Sequence, residues 1–238
     1  MTDVSNPQLP LTLHYPPDQR LETYLGAPPA ALAQLRALAF GAHADWLYVS
    51  GAAGTGKTHL ALGVCAAAEQ AGRRALYLPL AAAQGRVRFA LEGLEAHDVI
   101  ALDGVDAIAG DRDDEIALFD FHNRAKAAGA TVLYTGKSLP ETLGLVLPDL
   151  RSRLGQCGRI SLYPLDEAGR IEVLKARAQR RGLSIDDAAL EWLLTRTGRD
   201  LGSLVTVLDR LDRESLAAQR RLTIPFLRRV LDEADNAG

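Results

Sequence analysis

The sequence predicts an α/β fold with a five-stranded parallel sheet, followed by a small all-α domain. Three observations lead to this prediction. Short apolar runs alternate with helical segments as far as residue 162, which is the pattern of βαβ units. The runs are apolar throughout, as in strands that are covered on both faces. After Tyr163-Pro164 only helical patterns remain.

The elements follow in order from these patterns. Strands are expected at 46–50, 75–80, 98–103, 131–135 and 159–162. Pro28 and Pro29 suit the first turn of a helix. The first domain then has helices expected at 30–40, 57–71, 81–95, 113–128 and 147–154. In the second domain Ser184 is a candidate N-cap, and the helices are expected at 166–181, 186–195, 199–217 and 226–234.

Composition limits the classes of function. The chain has 238 residues, 47% hydrophobic and 24% charged, and a net charge of −3, which argues against a protein that mainly coats nucleic acid. Cys65 and Cys157 have no metal-binding spacing. No apolar run approaches the ~18 residues of a membrane span, so a cytoplasmic protein is expected. We expect an extended tail at 1–20, an α/β domain at 21–164 and a helical domain at 165–238.

A complete phosphate-loop motif gives the clearest functional signal. Residues 51–58 match G-x-x-x-x-G-K-[ST] between an expected strand and an expected helix, the context that this motif requires. Backbone N–H groups of such a loop bind phosphate oxygens, Lys57 would reach the β- and γ-phosphates and Thr58 would bind Mg²⁺. The nucleotide-binding residues expected here are Gly51, Ala52, Ala53, Gly54, Thr55, Gly56, Lys57, Thr58 and His59. A plain Gly-rich turn is the alternative.

A second signal is the apolar run 98–103, which ends in Asp103. In phosphate-loop proteins an Asp at this strand end helps to hold Mg²⁺. Cofactors of ADP or ATP with Mg²⁺ are therefore expected, with Thr58 and Asp103 at the metal.

These residues resemble a known family. The segments 51–58, 99–103 with 106–110, and 147–154, together with the helical C-terminal part, look like the AAA+ core of the bacterial initiator DnaA over most of residues 20–235. We expect no helix-turn-helix domain after the helical lid. The tail carries Gln8-Leu9-Pro10-Leu11-Thr12-Leu13, which is similar to the sliding-clamp-binding motif. Together these features resemble the Hda family of DnaA-related regulators. The resemblance implies a P-loop AAA+ core with a helical lid domain.

The resemblance implies roles for further residues. Arg153 corresponds to an arginine finger that acts in trans on a neighbour's nucleotide, and Arg151 could share this role. Arg199 corresponds to the sensor II arginine over the phosphates, and Thr135 to sensor I. Residues near the adenine are implied to be Leu21, Tyr24 and Leu25.

Two positions depart from the family and weaken catalysis in cis. Gly104 stands where AAA+ ATPases usually carry a second acid that polarises water, and Asp106 is expected to point elsewhere if the strand continues. Lys137 stands where DnaA-like proteins usually carry Asp. We expect tight nucleotide binding and slow intrinsic hydrolysis.

The tail predicts a partner. A clamp pocket takes a glutamine and an apolar pair from an extended peptide, and Gln8, Leu9, Leu11 and Leu13 would supply these groups. The alternative is that the leucines pack back on the domain.

The implied function is negative regulation of replication initiation by an adaptor that binds the clamp and stimulates hydrolysis of DnaA-bound ATP. Self-association is also expected. The pairs 220–221 and 228–229 are arginines on solvated helix faces or, alternatively, at a weak duplex DNA contact. The competing functions are a DnaA-like helicase loader or DNA-remodelling ATPase and a membrane localiser, although the sequence shows no amphipathic anchoring helix.

Overall fold

The computed structural model describes residues 19–41, 45–183, 185–196, 207 and 223–235. It contains a five-stranded sheet in the order β2-β3-β4-β1-β5, in which all paired strands are parallel. The strands are β1 (Leu47–Gly51), β2 (Ala75–Pro79), β3 (Val99–Asp103), β4 (Thr131–Gly136) and β5 (Gly158–Leu162). The predicted five-stranded parallel sheet is thus confirmed.

Eight helices are described besides short 3₁₀ turns. Five belong to the sheet domain: α1 (Pro29–Phe40), α2 (Lys57–Gln70), α3 (Val87–Ala90), α4 (Arg112–Ala127) and α5 (Pro148–Gly155). Three follow the sheet: α6 (Glu167–Arg180), α7 (Asp187–Arg196) and α8 (Ile224–Asp235). Within the described ranges, no helix is long and apolar enough to cross a membrane.

Two apolar layers cover the sheet, as continuous apolar strands require. On one face α1 and α2 pack through side chains such as Leu35 and Val64. On the other face α4 and α5 pack through Phe121 and Leu150. A separate cluster joins α6, α7 and α8 through buried side chains that include Leu174, Leu190 and Leu227.

The prediction of one continuous helix at 81–95 is wrong. That segment forms a 3₁₀ turn at Leu80–Ala83, the short α3 and a 3₁₀ turn at Leu94–Ala96. Gly85 and Gly93 have φ of 73° and 74°, a left-handed conformation that breaks a helix. The Asp114 carboxylate accepts hydrogen bonds from Gly85 N at 2.6 Å and from Val87 N at 3.2 Å, which fixes the break.

The helix expected at 199–217 lies outside the described residues except for Val207, which is helical. Ser184, expected as a cap, also lies outside them. Asp186 supplies a cap for α7 instead, because its Oδ1 accepts from Ala189 N at 2.7 Å.

Glu115 on α4 fixes where α5 begins. It is fully buried, and its carboxylate accepts hydrogen bonds from three backbone groups: Gly110 N at 2.8 Å, Val146 N at 3.0 Å and Leu147 N at 2.7 Å. Since Leu147 is the N-cap of α5, this one side chain ties two loops and the entry to α5 together.

We expect Glu115→Ala to lower the free energy of unfolding by about 3 kcal/mol, because it leaves three buried donors without an acceptor. Urea denaturation measures this loss. The exposed Glu69 makes Glu69→Ala a control, with an expected change within about 0.5 kcal/mol. Equal stability of the two variants would contradict the anchoring role of Glu115.

Candidate nucleotide-binding site

The phosphate loop lies between the end of β1 and the start of α2, at the carboxyl edge of the sheet. Gly54 and Gly56 have φ of 75° and 87°, and these positive values turn the chain sharply into α2. Thr55 stiffens the turn, because its Oγ1 donates to Ala52 O at 2.8 Å. The loop is therefore held in shape by its own residues.

Tyr24 braces the loop from the N-terminal side of the domain. Its hydroxyl donates to Thr55 O at 2.6 Å, and its ring meets His59 edge-on with 5.3 Å between centroids. A Cβ added to Gly56 would lie 2.5 Å from Tyr24 Cε2. Burial raises the pKa of Tyr24 to about 12, so the hydroxyl keeps its proton and remains a donor at neutral pH.

Lys57 lies over the loop. Its Nζ donates to Gly51 O at 2.7 Å and to Ala52 O at 2.8 Å. Burial lowers its pKa, while the charges of Asp106 and Asp103 act in the opposite direction. An ammonium held at this point suits the phosphates of a nucleotide.

Asp103 joins three strands at the foot of the loop. Its Oδ2 accepts from Thr58 Oγ1 at 2.7 Å and from Tyr77 OH at 2.9 Å. Its Oδ1 accepts from Thr135 Oγ1 at 2.5 Å, and Thr135 Oγ1 accepts from Gly104 N at 2.9 Å. The structure thus brings Thr58, Asp103 and Thr135 together, and it adds Tyr77, which sequence reasoning missed.

The neighbouring hydroxyl of Thr58 and carboxylate of Asp103 fit Mg²⁺, which prefers hard oxygen ligands and is usually completed by phosphates and water. The part of the chain that the structure describes holds no group of three His, Cys, Asp or Glu side chains that could bind a metal by itself. Thr58 and Asp103 would therefore hold the ion only together with a bound nucleotide.

The strand does not continue past Asp103, although continuation is the condition on which the prediction for Asp106 depends. β3 ends at Asp103, and Gly104 has a φ of 83°, so a side chain there would be strained. Asp106 follows in a 3₁₀ turn. Its Oδ1 accepts from Lys137 N at 2.8 Å, and its charge acts on Lys57.

A cavity of about 310 Å³ opens beside the loop, within the size range of small-molecule sites. Tyr24, Leu25 and His59 line it. Leu21 does not line it: this residue is 1% exposed and packs against Gly63 of α2.

Sequence reasoning missed the α6 wall of this cavity. Val173, Arg177 and Arg180 line it from the helical domain. Their spacing of four and three residues places them on one helix face. This spacing is visible in the sequence and could have indicated a shared surface. Arg177 and Arg180 thus line the same cavity as Lys57.

Arg153 lies far from this cavity. It is in the last turn of α5 and lines a different pocket with Trp46, which precedes β1, and Cys157, which precedes β5. This pocket is at the amino edge of the sheet, about 17 Å from the phosphate loop for strands of five residues at ~3.3 Å each. Arg151 is exposed. The remaining predicted site residues, Gln8, Leu9, Leu11, Leu13 and Arg199, lie outside the described residues.

Two family models match parts of this chain. The family model described as IstB-like ATP binding protein matches residues 18–149, which is 132 of 238 residues. The model described as Hda, lid domain, matches residues 166–231. The predicted similarity to Hda is thereby confirmed.

Solved structures share the fold. Domain III of the Thermotoga maritima replication initiation protein DnaA aligns with a TM-score of 0.73 and 19% identity, over 92% of this chain and 98% of that one. AMPPCP-bound DnaA from Aquifex aeolicus aligns with a TM-score of 0.66 and 20% identity, over 82% of this chain and 65% of that one. The Thermotoga maritima RuvB Holliday junction branch migration motor aligns with a TM-score of 0.62 and 18% identity, over 90% of this chain and 71% of that one. The predicted AAA+ fold class is confirmed.

We expect Gly56→Ala to abolish nucleotide binding, because a methyl group there would collide with the Tyr24 ring that braces the loop. Gly72→Ala is a matched control: Gly72 has a φ of 75° with nothing within 4 Å of an added Cβ, so it shares the backbone strain without the clash. Fluorescent ADP titration measures both. Equal affinities in the two variants would show that the contact with Tyr24 is unimportant.

Proposed function

We propose that this chain, which belongs to the family of IstB-like ATP-binding proteins, is a nucleotide-bound adaptor that restrains replication initiation. Its fold is that of a DnaA-like AAA+ protein, and its C-terminal part matches the Hda lid domain. In our proposal it binds the sliding clamp and stimulates hydrolysis of the ATP that DnaA holds, with Arg153 acting in trans.

The observation that carries this proposal is the separation of Arg153 from the phosphate loop. They lie at opposite edges of a parallel sheet, so the guanidinium is out of reach of any phosphate held by Lys57 of the same chain. In our proposal this arginine therefore acts on a nucleotide that a neighbouring protein holds. Neutralising charge on a transferring phosphoryl group accelerates hydrolysis by about 10³–10⁵ in analogous switches.

The chain's own nucleotide is proposed to be a structural ligand. The phosphate loop and Arg177 and Arg180 of α6 line the same cavity, so ADP or ATP with Mg²⁺ would contact both domains. A ligand that binds only the folded state stabilises it by mass action. Two DnaA neighbours are described as bound to AMPPCP, which supports nucleotide as the ligand.

Slow hydrolysis in cis remains our proposal. Gly104 supplies no acid, although Asp106 acts electrostatically on Lys57. The second candidate, an autonomous loader or remodelling ATPase, is favoured by the intact contact between Thr58 and Asp103. In that case the isolated protein would hydrolyse ATP rapidly.

Other parts of the proposal concern the binding partners and the cellular compartment. We propose a cytoplasmic protein that self-associates through AAA+ contacts. Arg228 and Arg229 lie over the rings of Trp192 and Phe226, at 5.8 Å and 5.2 Å, which supports the interpretation of a solvated helix face over a duplex DNA contact.

We expect Arg153→Ala to lose the stimulation of DnaA-ATP hydrolysis, by about 10³-fold, because the finger charge is removed. The assay contains clamp-loaded DNA, DnaA-ATP and this protein with ADP. Arg112→Ala is the control, since Arg112 is exposed at the far end of α4. Undiminished stimulation by the Arg153→Ala variant would contradict the role of Arg153 as an arginine finger. Rapid hydrolysis by the protein alone, with no gain for DnaA, would favour the loader.

The clamp interaction has its own prediction. Gln8→Ala combined with Leu9→Ala is expected to abolish pull-down by the sliding clamp, because it removes both the polar and the apolar anchor. Thr12→Ala changes a variable position of the motif and is expected to bind normally. Retention of the double variant on the clamp would place the contact elsewhere.

A further inference from the structure

A second pocket, at the amino edge of the sheet, collects positive charge. It has a volume of about 200 Å³, room for several waters at ~30 Å³ each. Lys126, in the last turn of α4, and Arg153, in the last turn of α5, both line it. The other lining residues are Asp45, Trp46, His122, Gln156 and Cys157.

The His122 side chain lines this pocket and is held in place by its neighbours. It is 4% exposed, and its Nδ1 is hydrogen-bonded with Tyr134 OH at 3.0 Å. The Trp46 ring meets it edge-on with 4.5 Å between centroids. Burial, followed by the charges of Arg153 and Lys126, lowers the pKa of His122 to about 4, so the imidazole is neutral at pH 7.

The two cations of this pocket lack counterions in the described part of the chain. Five other described cations have a carboxylate oxygen within 4.0 Å: Arg36, Arg74, Arg124, Arg159 and Lys175. Lys126 and Arg153 have none, although Asp45 lines the same pocket. Two cations, one carboxylate and a neutral imidazole give a net charge of +1, and a concave positive site attracts anions.

We propose that Lys126 and Arg153, together with His122, bind the terminal phosphates of a nucleotide that a neighbouring protein holds. This inference rests on the proposed role of Arg153 and adds Lys126 as a second cation beside the finger.

Two features identify the anion. The chain's own phosphate loop is at the opposite edge of the sheet, so the ligand comes from outside this chain. An arginine and a lysine together suit a phosphate group, since the guanidinium binds in a planar fork and the ammonium as a point charge. Gln156, also at the pocket, adds an amide donor.

The first experiment tests the pocket without DnaA. The full chain is saturated with ADP and titrated with inorganic triphosphate, while the side-chain nitrogen resonances of His122 are followed by NMR and assigned with His122→Gln. Triphosphate is expected to shift these resonances and to raise the pKa of His122, because an anion offsets the two positive charges. Lys126→Gln should weaken triphosphate binding about tenfold. Arg112→Gln, on the same helix, should not.

The second experiment identifies the source of the phosphate. In the DnaA-ATP hydrolysis assay Lys126→Gln is expected to reduce stimulation about tenfold, while ADP binding by the variant stays normal because Lys126 is exposed. If the Lys126→Gln variant binds triphosphate and stimulates hydrolysis normally, the inference is overturned. This holds even if Arg153→Ala abolishes stimulation, a result that would leave the proposed function standing. A His122 shift caused by duplex DNA, with stimulation unchanged in Lys126→Gln, would also overturn it. If even the wild type stimulates nothing, the proposed function fails, and the triphosphate titration still decides whether the pocket binds phosphate.

Discussion

All five strands run in one direction, and this parallel arrangement decides where each chemical group of the protein lies. Each helix returns the chain to the same starting edge, as parallel pairing demands. Strand ends therefore gather at one edge, where β1 gives way to the phosphate loop, β3 ends in Asp103 and β4 carries Thr135. Strand starts gather at the other, where Trp46, Ala130 and Cys157 precede β1, β4 and β5. In the proposed function, the first edge binds the chain's own nucleotide and the second edge acts on a nucleotide of another protein.

Internal hydrogen bonds organise the edge of the sheet that carries the phosphate loop. Tyr24 and Thr55 fix the loop by hydrogen bonds, and Asp103 gathers hydroxyl groups from α2, β2 and β4. Preorganisation of this kind reduces the ordering cost of binding. The same tightness explains why glycine is required at position 56, where an aromatic ring lies directly against the backbone.

The helical domain contributes to the same edge through α6, whose arginines face the cavity. A nucleotide between them and Lys57 would couple the two domains. The amino edge is connected to the rest of the molecule by α4, because Glu115 near its start anchors the entry to α5 while His122 and Lys126 near its end line the second pocket. The position of Arg153 on α5 thus depends on buried polar contacts of α4.

The sequence by itself determined the sheet, the phosphate loop and the carboxylate of Asp103, because these follow from local patterns: apolar runs, a fixed glycine spacing and a strand end. It did not determine the break in the segment after β2, which depends on Asp114 of a distant helix. Only the tertiary structure placed Leu21 in the core, joined Asp106 to the backbone of Lys137 and brought Tyr77 to Asp103. It alone also set Lys126 beside Arg153, because residues on different helices become neighbours only when both helices pack on the same sheet.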